Sequence, residues 1–220
     1  MTFSILAKDP ETGALGGAAA TGSLCVGGWV LRGDSRAGMS ASQGASPSTF
    51  WGEDVLSLMR DGMAAPVAVS AIVDPDTGKE HRQLSALDRD GGSGAYTGGQ
   101  NIDAKGSRVF TNGIVAGNLL TSENVLAAMQ EAYQNAEGTF AERLLTALRG
   151  AESAGSDSRG LQAAALLIVA DDAPPLTLRI DYADDPLSAL EALYKRSQTA
   201  PYVDWLDQVP TVKNPERAPD

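Results

Sequence analysis

Thr2 follows the initiator methionine, and that position changes what a threonine can do. A small second residue favours removal of Met1, which leaves a free α-amine on the same residue as the hydroxyl. Such an amine titrates at about 7.7–8.0, so near neutral pH it can take the hydroxyl proton as the oxygen attacks a carbonyl. One residue then supplies both nucleophile and base. The rest of the chain offers little competition. His81 is the sole histidine; it stands between Glu80 and Arg82 and reads as a solvated residue at a strand edge. Cys25 is the sole cysteine and has no base beside it in sequence, so it reads as a small buried hydrophobe. The sequence contains no G-x-S-x-G, no phosphate-binding G-x-x-x-x-G-K-[ST], no G-x-G-x-x-G and no H-E-x-x-H.

Composition narrows the field further. With 28 acidic against 17 basic residues the net charge is −11, so the chain repels a phosphate backbone and nucleic acid is not an expected partner. A single His and a single Cys cannot supply the three or four such ligands of a zinc site, which leaves only a carboxylate-held Mg or Ca site open; no metal and no cofactor are expected. No apolar stretch approaches the roughly 18 residues that span a bilayer, and the amino terminus has no basic segment ahead of an apolar one. A cytoplasmic protein without a membrane partner is therefore the expectation. Trp29, Trp51 and Trp205 leave a homo-oligomer open, since each could equally pack on its own chain.

The elements that must position Thr2 begin at the terminus itself. Residues 2–7 alternate polar and apolar, residues 9–13 form a turn cluster, and residues 14–21 return as a Gly/Ala-rich strand suited to close layer packing. A glycine-containing loop through Gly27, Gly28, Gly33 and Asp34 leads to a third strand over residues 38–43. Val55, Leu56, Met59 and Met63 fall on one face of a helix ending near Gly62, and a short helix is predicted over residues 66–73. A hairpin over residues 82–88 and 94–97 precedes a single strand over residues 108–115. Two helices follow. One carries Val125, Leu126, Met129 and Tyr133, and the other opens on the capping-box spacing Thr139–Glu142. Residues 150–160 read as loop or frayed helix. The strands 161–169, an apolar stretch that reads as a fully buried strand, and 176–181 lead to a helix capped by Asp185 with Pro186 at its first position. Strands, then paired helices, then strands and a helix do not alternate as a doubly wound parallel sheet does. The order predicts an α+β fold, a four-layer αββα sandwich of two mainly antiparallel sheets flanked by helices. Residues 1–200 read as one domain and residues 201–220 as an extended C-terminal tail.

Four segments resemble one family. Thr2-Phe3-Ser4-Ile5 with Asp9-Pro10-Glu11-Thr12-Gly13, residues 38–47 with Ser42-Gln43, Glu80-His81-Arg82-Gln83, and residues 157–166 beginning Asp157-Ser158-Arg159-Gly160 are similar to the bacterial domain-of-unknown-function family 1028. The resemblance covers about residues 2–195. It implies an N-terminal-nucleophile (Ntn) hydrolase fold of the proteasome-subunit type, which agrees with the layer order, and it implies Thr2 as nucleophile. By the same resemblance Thr21, at the end of strand two, lies where such enzymes put a polar group beside the nucleophile. Gly22 stands where related chains often carry Lys or His, and Ser40, Ser42 and Gln43 occupy the strand in which proteasome-type subunits place a lysine. Asp157 and Ser158 resemble the acidic and hydroxyl pair that orients the terminal amine; an Asx-turn closing the preceding helix, with Arg159 in a surface ion pair, reads equally well. Residues 113–118 offer an oxyanion hole through Gly117 and the Asn118 amide, or else a strand-to-helix loop.

The expected site is therefore Thr2, Asp157 and Ser158 as catalytic residues, with Thr21, Gln43, Gly117, Asn118 and Arg159 on the substrate. The expected activity is an amidohydrolase that cleaves a small-molecule amide or peptide-like C–N bond through an acyl-enzyme on Thr2. The alternative is a catalytically silent protein of the same fold that binds a small metabolite or serves as an assembly subunit.

Overall fold

The computed structural model describes residues 2–156 and 160–219. The first hairpin forms as its alternation predicts. Strand β1 (Thr2–Lys8) turns through Asp9, whose carboxylate accepts from the Thr12 hydroxyl at 2.6 Å, and through Gly13 at φ +75°, into β2 (Leu15–Thr21). Helix α1 (Val26–Trp29) and β3 (Leu31–Asp34) follow, then β4 (Gly38–Gly44), α2 (Thr49–Arg60), α3 (Ala65–Val73), β5 (Arg82–Asp88) and β6 (Ser93–Thr97). The second half comprises β7 (Gly106–Phe110), β8 (Gly113–Asn118), α4 (Asn124–Asn135), α5 (Phe140–Ser153), β9 (Ala163–Val169), β10 (Leu176–Ile180), α6 (Pro186–Ser197) and α7 (Tyr202–Leu206).

The strands form two antiparallel sheets, one in the order β10-β9-β2-β1-β8-β7 and the other β3-β4-β5-β6. Three apolar layers hold the sandwich together. Phe3, Ile5, Ala18, Val115 and Leu166 meet Met129, Leu144, Leu148 and Leu190 of α4, α5 and α6. Between the sheets, Leu6, Leu15 and Ile114 meet Met39, Ala41 and Leu87. On the far side, Leu84 and Ala86 meet Trp51, Val55, Met59 and Val69 of α2 and α3. This is the αββα sandwich that the element order predicts, with the apolar run of β9 an interior strand between β2 and β10. The predicted helix starts hold too: Thr139 and Glu142 close a capping box on α5, and the Asp185 carboxylate accepts from Ser188 N–H at 3.0 Å on α6.

Four local expectations are corrected. The single strand over residues 108–115 is a hairpin, β7 and β8, turned by Thr111-Asn112 with Asn112 at φ +60°; Asn112-Gly113 was the turn signal. The loop through Gly27 and Gly33 holds α1 and β3. A Cβ on Gly27 would lie 2.6 Å from Arg179 Cγ and 2.7 Å from Ala165 Cβ, so this glycine marks close packing rather than freedom. Helix α5 runs on to Ser153, because Gly150 lets it approach Ala132 of α4. Residues 201–220 are not extended throughout: they contain α7, and Lys213 N–H donates to the Asp171 carbonyl at 2.8 Å. Among the described residues no helix is long and apolar enough to cross a membrane.

Gly38 opens β4 at φ +147°, and a Cβ there would sit 2.2 Å from the Leu87 carbonyl oxygen of β5. Neither the dihedral nor the backbone contact can yield without breaking the β4–β5 pairing. Gly38→Ala is therefore expected to lower the unfolding free energy by about 2 kcal/mol or more, measured by urea denaturation.

Candidate active site

Strand alternation carries the site. On β1, Phe3, Ile5 and Ala7 point to the helices while Leu6 points to the facing sheet, so Thr2 and Ser4 share the face of Leu6. The same rule puts Thr21 of β2 with Ala19, Asn118 of β8 with Ile114, Gln43 of β4 with Ala41 and Gln83 of β5 with Leu87. Register lines these up at one end of the sandwich. Thr2 lies opposite Thr21 on one side and Asn118 on the other, and Gln83 lies opposite Gln43 and Thr97. Two polar rows, Thr21–Thr2–Asn118 and Gln43–Gln83–Thr97, therefore face each other across the gap between the sheets.

The rows are joined by neutral hydrogen bonds. Gln83, with no exposed surface, accepts at Oε1 from Gln43 Nε2 at 2.7 Å and from Asn118 Nδ2 at 3.0 Å. Its own amide donates to Thr97 Oγ1 at 2.8 Å, the Gly117 carbonyl at 2.9 Å and the Gly106 carbonyl at 3.0 Å, sharing two protons among three acceptors. Gln43 accepts from Ser4 Oγ at 2.9 Å and donates to the Thr2 carbonyl at 3.3 Å. Thr2 Oγ1 donates to Thr21 Oγ1 at 3.1 Å. Thr2, half-buried, is the member of the rows on β1 that reaches solvent.

Above Thr2 the rows open into a cleft of about 650 Å³ with Thr2, Thr21 and Gln43 on its floor. Val26, Trp29 and Val30 of the α1 segment form one wall, with Leu24 at its edge, and Gly44 to Pro47 and Ile102 form the other. Asn101 braces that second wall: its Oδ1 accepts from Ala45 N–H at 2.9 Å, and its Nδ2 donates to the Arg82 and Gly98 carbonyls. Glu80 ties down the loop leading to Ile102. Its carboxylate accepts from Gly99 N–H at 2.8 Å and from the Tyr96 hydroxyl at 3.0 Å, which holds it below its ordinary pKa. That contribution is present above the ordinary carboxylate pKa and is lost as pH falls below it. No side chain lining the cleft among the described residues is ionisable, and these residues include no cluster of three His, Cys, Asp or Glu able to hold a metal.

Of the residues singled out from sequence, Thr2, Thr21 and Gln43 come together on the cleft floor. Asn118 and Gly117 sit in β8 behind that floor, inside a strand and not in a strand-to-helix loop. The Asn118 amide is engaged with Gln83, and the Gly117 carbonyl accepts from it. Asp157, Ser158 and Arg159 lie outside the described residues. The flanking chain is anchored near the floor: Ser156 accepts at its carbonyl from Thr121 N–H at 3.2 Å, and Gln162 N–H donates to the Thr21 carbonyl at 2.8 Å. His81 is exposed on a single helical turn before β5 and does not line the cleft; Cys25 is partly exposed at the start of α1. Sequence reasoning missed Ser4, Gln83 and Thr97 as members of the site. The signal was an uncharged polar residue at a core-facing position of a strand, which an interior tolerates only where partners are waiting.

Gln83→Leu would take their Gln83 partner from donors on Gln43 and Asn118 and from the Gly106 and Gly117 carbonyls, all in a buried gap. The variant is expected to be destabilised by about 3 kcal/mol or more in urea unfolding.

A family model described as "Family of unknown function (DUF1028)" matches residues 2–190. The crystal structure of protein SPO2555 from Silicibacter pomeroyi, assigned to the same family model, is 56% identical; the match covers 100% of this chain and 96% of that one, with a TM-score of 0.96. Anbu (ancestral beta-subunit) from Yersinia bercovieri is 12% identical over 94% of this chain and 98% of its own, with a TM-score of 0.40. None of the curated proteins matches. The chain belongs to the family of unknown function DUF1028.

Proposed function

We propose that the protein is an N-terminal-nucleophile amidohydrolase in which Thr2, freed of Met1, attacks the carbonyl of a small-molecule amide. The observation that supports this reading best is the position of the Thr2 hydroxyl on the cleft floor, 3.1 Å from Thr21 Oγ1, with the Thr2 carbonyl held by Gln43. In the first step Thr2 Oγ1 bonds to the amide carbon and its proton passes to the α-amine. The tetrahedral adduct collapses, the C–N bond breaks, and the departing amine takes that proton. In the second step water, deprotonated by the same amine, attacks the ester and releases the acid and the threonine hydroxyl. Asp157 and Ser158 are assigned to orient the amine, Thr21 to steer the hydroxyl, and Arg159 to hold substrate. Gly117 and Asn118, expected on the substrate, are assigned instead to the strand behind the floor, where they pair with β1.

A second reading, a catalytically silent protein that binds a small metabolite or serves as an assembly subunit, draws support from one observation: no described side chain lining the cleft carries a charge that could tune the amine.

The two readings separate on the intact mass. The hydrolase reading expects native protein to lack Met1, since a blocked Thr2 amine cannot act as base; a mass that includes Met1 overturns it. Thr2→Ala is expected to abolish hydrolysis of the amide probes below while shifting stability by no more than about 1 kcal/mol, and Thr2→Ser to retain measurable activity. For the wild type, kcat/KM is expected to rise with pH and level off above about 8, as the amine loses its proton.

A further inference from the structure

Three large apolar side chains left in solvent converge on the one cleft that holds Thr2. Leu24 is 52% exposed, Trp29 53% and Ile102 57%, and they come from the β2–α1 connection, α1 and the β6–β7 connection. Beneath them Val26 and Val30 are buried, so the apolar wall is continuous from rim to floor. The backbone under these residues is held. Cys25 N–H donates to the Asp181 carbonyl at 3.0 Å, the Cys25 carbonyl accepts from Gly28 N–H at 2.9 Å, and the Ile102 carbonyl accepts from Leu119 N–H at 2.8 Å.

The charge distribution completes the case. The chain carries a net charge of −11, yet its described cleft-lining residues carry none. A carboxylate or ammonium seated against that apolar wall would give up water without meeting an opposite charge on any described lining side chain, and a carboxylate would in addition approach against the field of the whole protein. An aliphatic or aromatic group gains from every apolar surface it covers. The volume of about 650 Å³ fits a small molecule, within the usual range of roughly 300–1,000 Å³.

We propose that the apolar wall of the cleft selects amides whose acyl part bears a neutral apolar side chain of about the size of leucine or phenylalanine, seated against Trp29 and Ile102, over acyl parts whose side chain bears a carboxylate. The inference deepens the hydrolase reading and rests on it for turnover, but not for binding.

The test uses the full-length native protein and coumarin amides of N-acetyl-leucine, N-acetyl-phenylalanine, N-acetyl-glutamate and N-acetyl-lysine. The leucine and phenylalanine probes are expected to exceed the glutamate probe in kcat/KM by about 100-fold and the lysine probe by about 10-fold. Trp29→Ala and, independently, Ile102→Ala are expected to raise KM for the leucine probe about 5- to 20-fold with kcat nearly unchanged, a split that a general structural defect would not produce. Binding is read separately by calorimetry of N-acetyl-leucinamide and N-acetyl-glutamate amide on Thr2→Ala.

Preferential binding of the leucine compound with no turnover by the wild type would uphold the cleft assignment and overturn the nucleophile. Equal or better turnover of the glutamate probe would overturn the cleft assignment and leave the nucleophile standing. If none of the amides binds or turns over, the assignment fails; a wild-type dimer in light scattering that Trp29→Ala dissociates would then identify the apolar wall as a contact between copies.

Discussion

A polar side chain between two packed sheets has no water to turn to, so it must find its partners in the protein or destabilise the fold. Seven uncharged polar side chains meet that constraint at one end of this sandwich, and Gln83 is their hub. It accepts from the amides of both facing neighbours and donates to a hydroxyl and two main-chain carbonyls, one in each strand of the β7–β8 hairpin. Because Gly117 and Asn118 belong to β8, Gln43 to β4 and Thr97 to β6, one amide sets the spacing and register between the two sheets at the site. An apolar side chain would fill the same volume without prescribing which strand ends must meet.

That arrangement also holds the start of β1, which the proposed nucleophile would need. The first residues of a chain ordinarily fray, since they are paired on one side at most. Here β1 is an interior strand, and Thr2 is in register with both Thr21 and Asn118. The Gln43 amide fixes its carbonyl as well. A hydroxyl so held has few geometries to choose from, as the proposed attack on a bound carbonyl would require. The conditions that make Thr2 rigid are also electrically quiet, because amides and hydroxyls satisfy one another without a charged group.

The layers outside the rows have a simpler task. Small residues on β2 let α5 and β3 approach its two faces: a Cβ on Gly16 would meet Phe140 and Leu144 of the α5 side, and one on Gly17 would meet Leu6 and Leu31. The serines of β4 that face α2 are satisfied locally, Ser40 by the Gly52 carbonyl at 2.8 Å and Ser42 by the Ser48 carbonyl at 2.6 Å. The residues pointing away from the gap thus anchor the helices, and those pointing into it form the inter-sheet core and, at one end, the polar rows of the candidate site. Strand period, and no special motif, divides the two roles.

The αββα layering, the first hairpin, the capped starts of α5 and α6 and the buried run of β9 were all legible in the linear order, because each depends on patterns within a few residues: alternation, helical spacing, a cap three positions from its partner. The place of Thr2 at the start of the first hairpin was legible for the same reason, and the nucleophile proposal rests on that place. Local patterns misled where glycine had a distant cause. Gly27 and Gly150 are small because Arg179, Ala165 and Ala132 stand against them, and no neighbour in sequence announces that. Gln83 and Ser4 lie 79 positions apart in the chain, and each by itself is one more polar residue in a strand. Their joint meaning arises only when β4 and β5 are laid across β1 and β8. Tertiary structure alone decided that these side chains share one buried gap, since hydrogen bonding across two sheets depends on register and distance that residues remote in sequence do not encode locally.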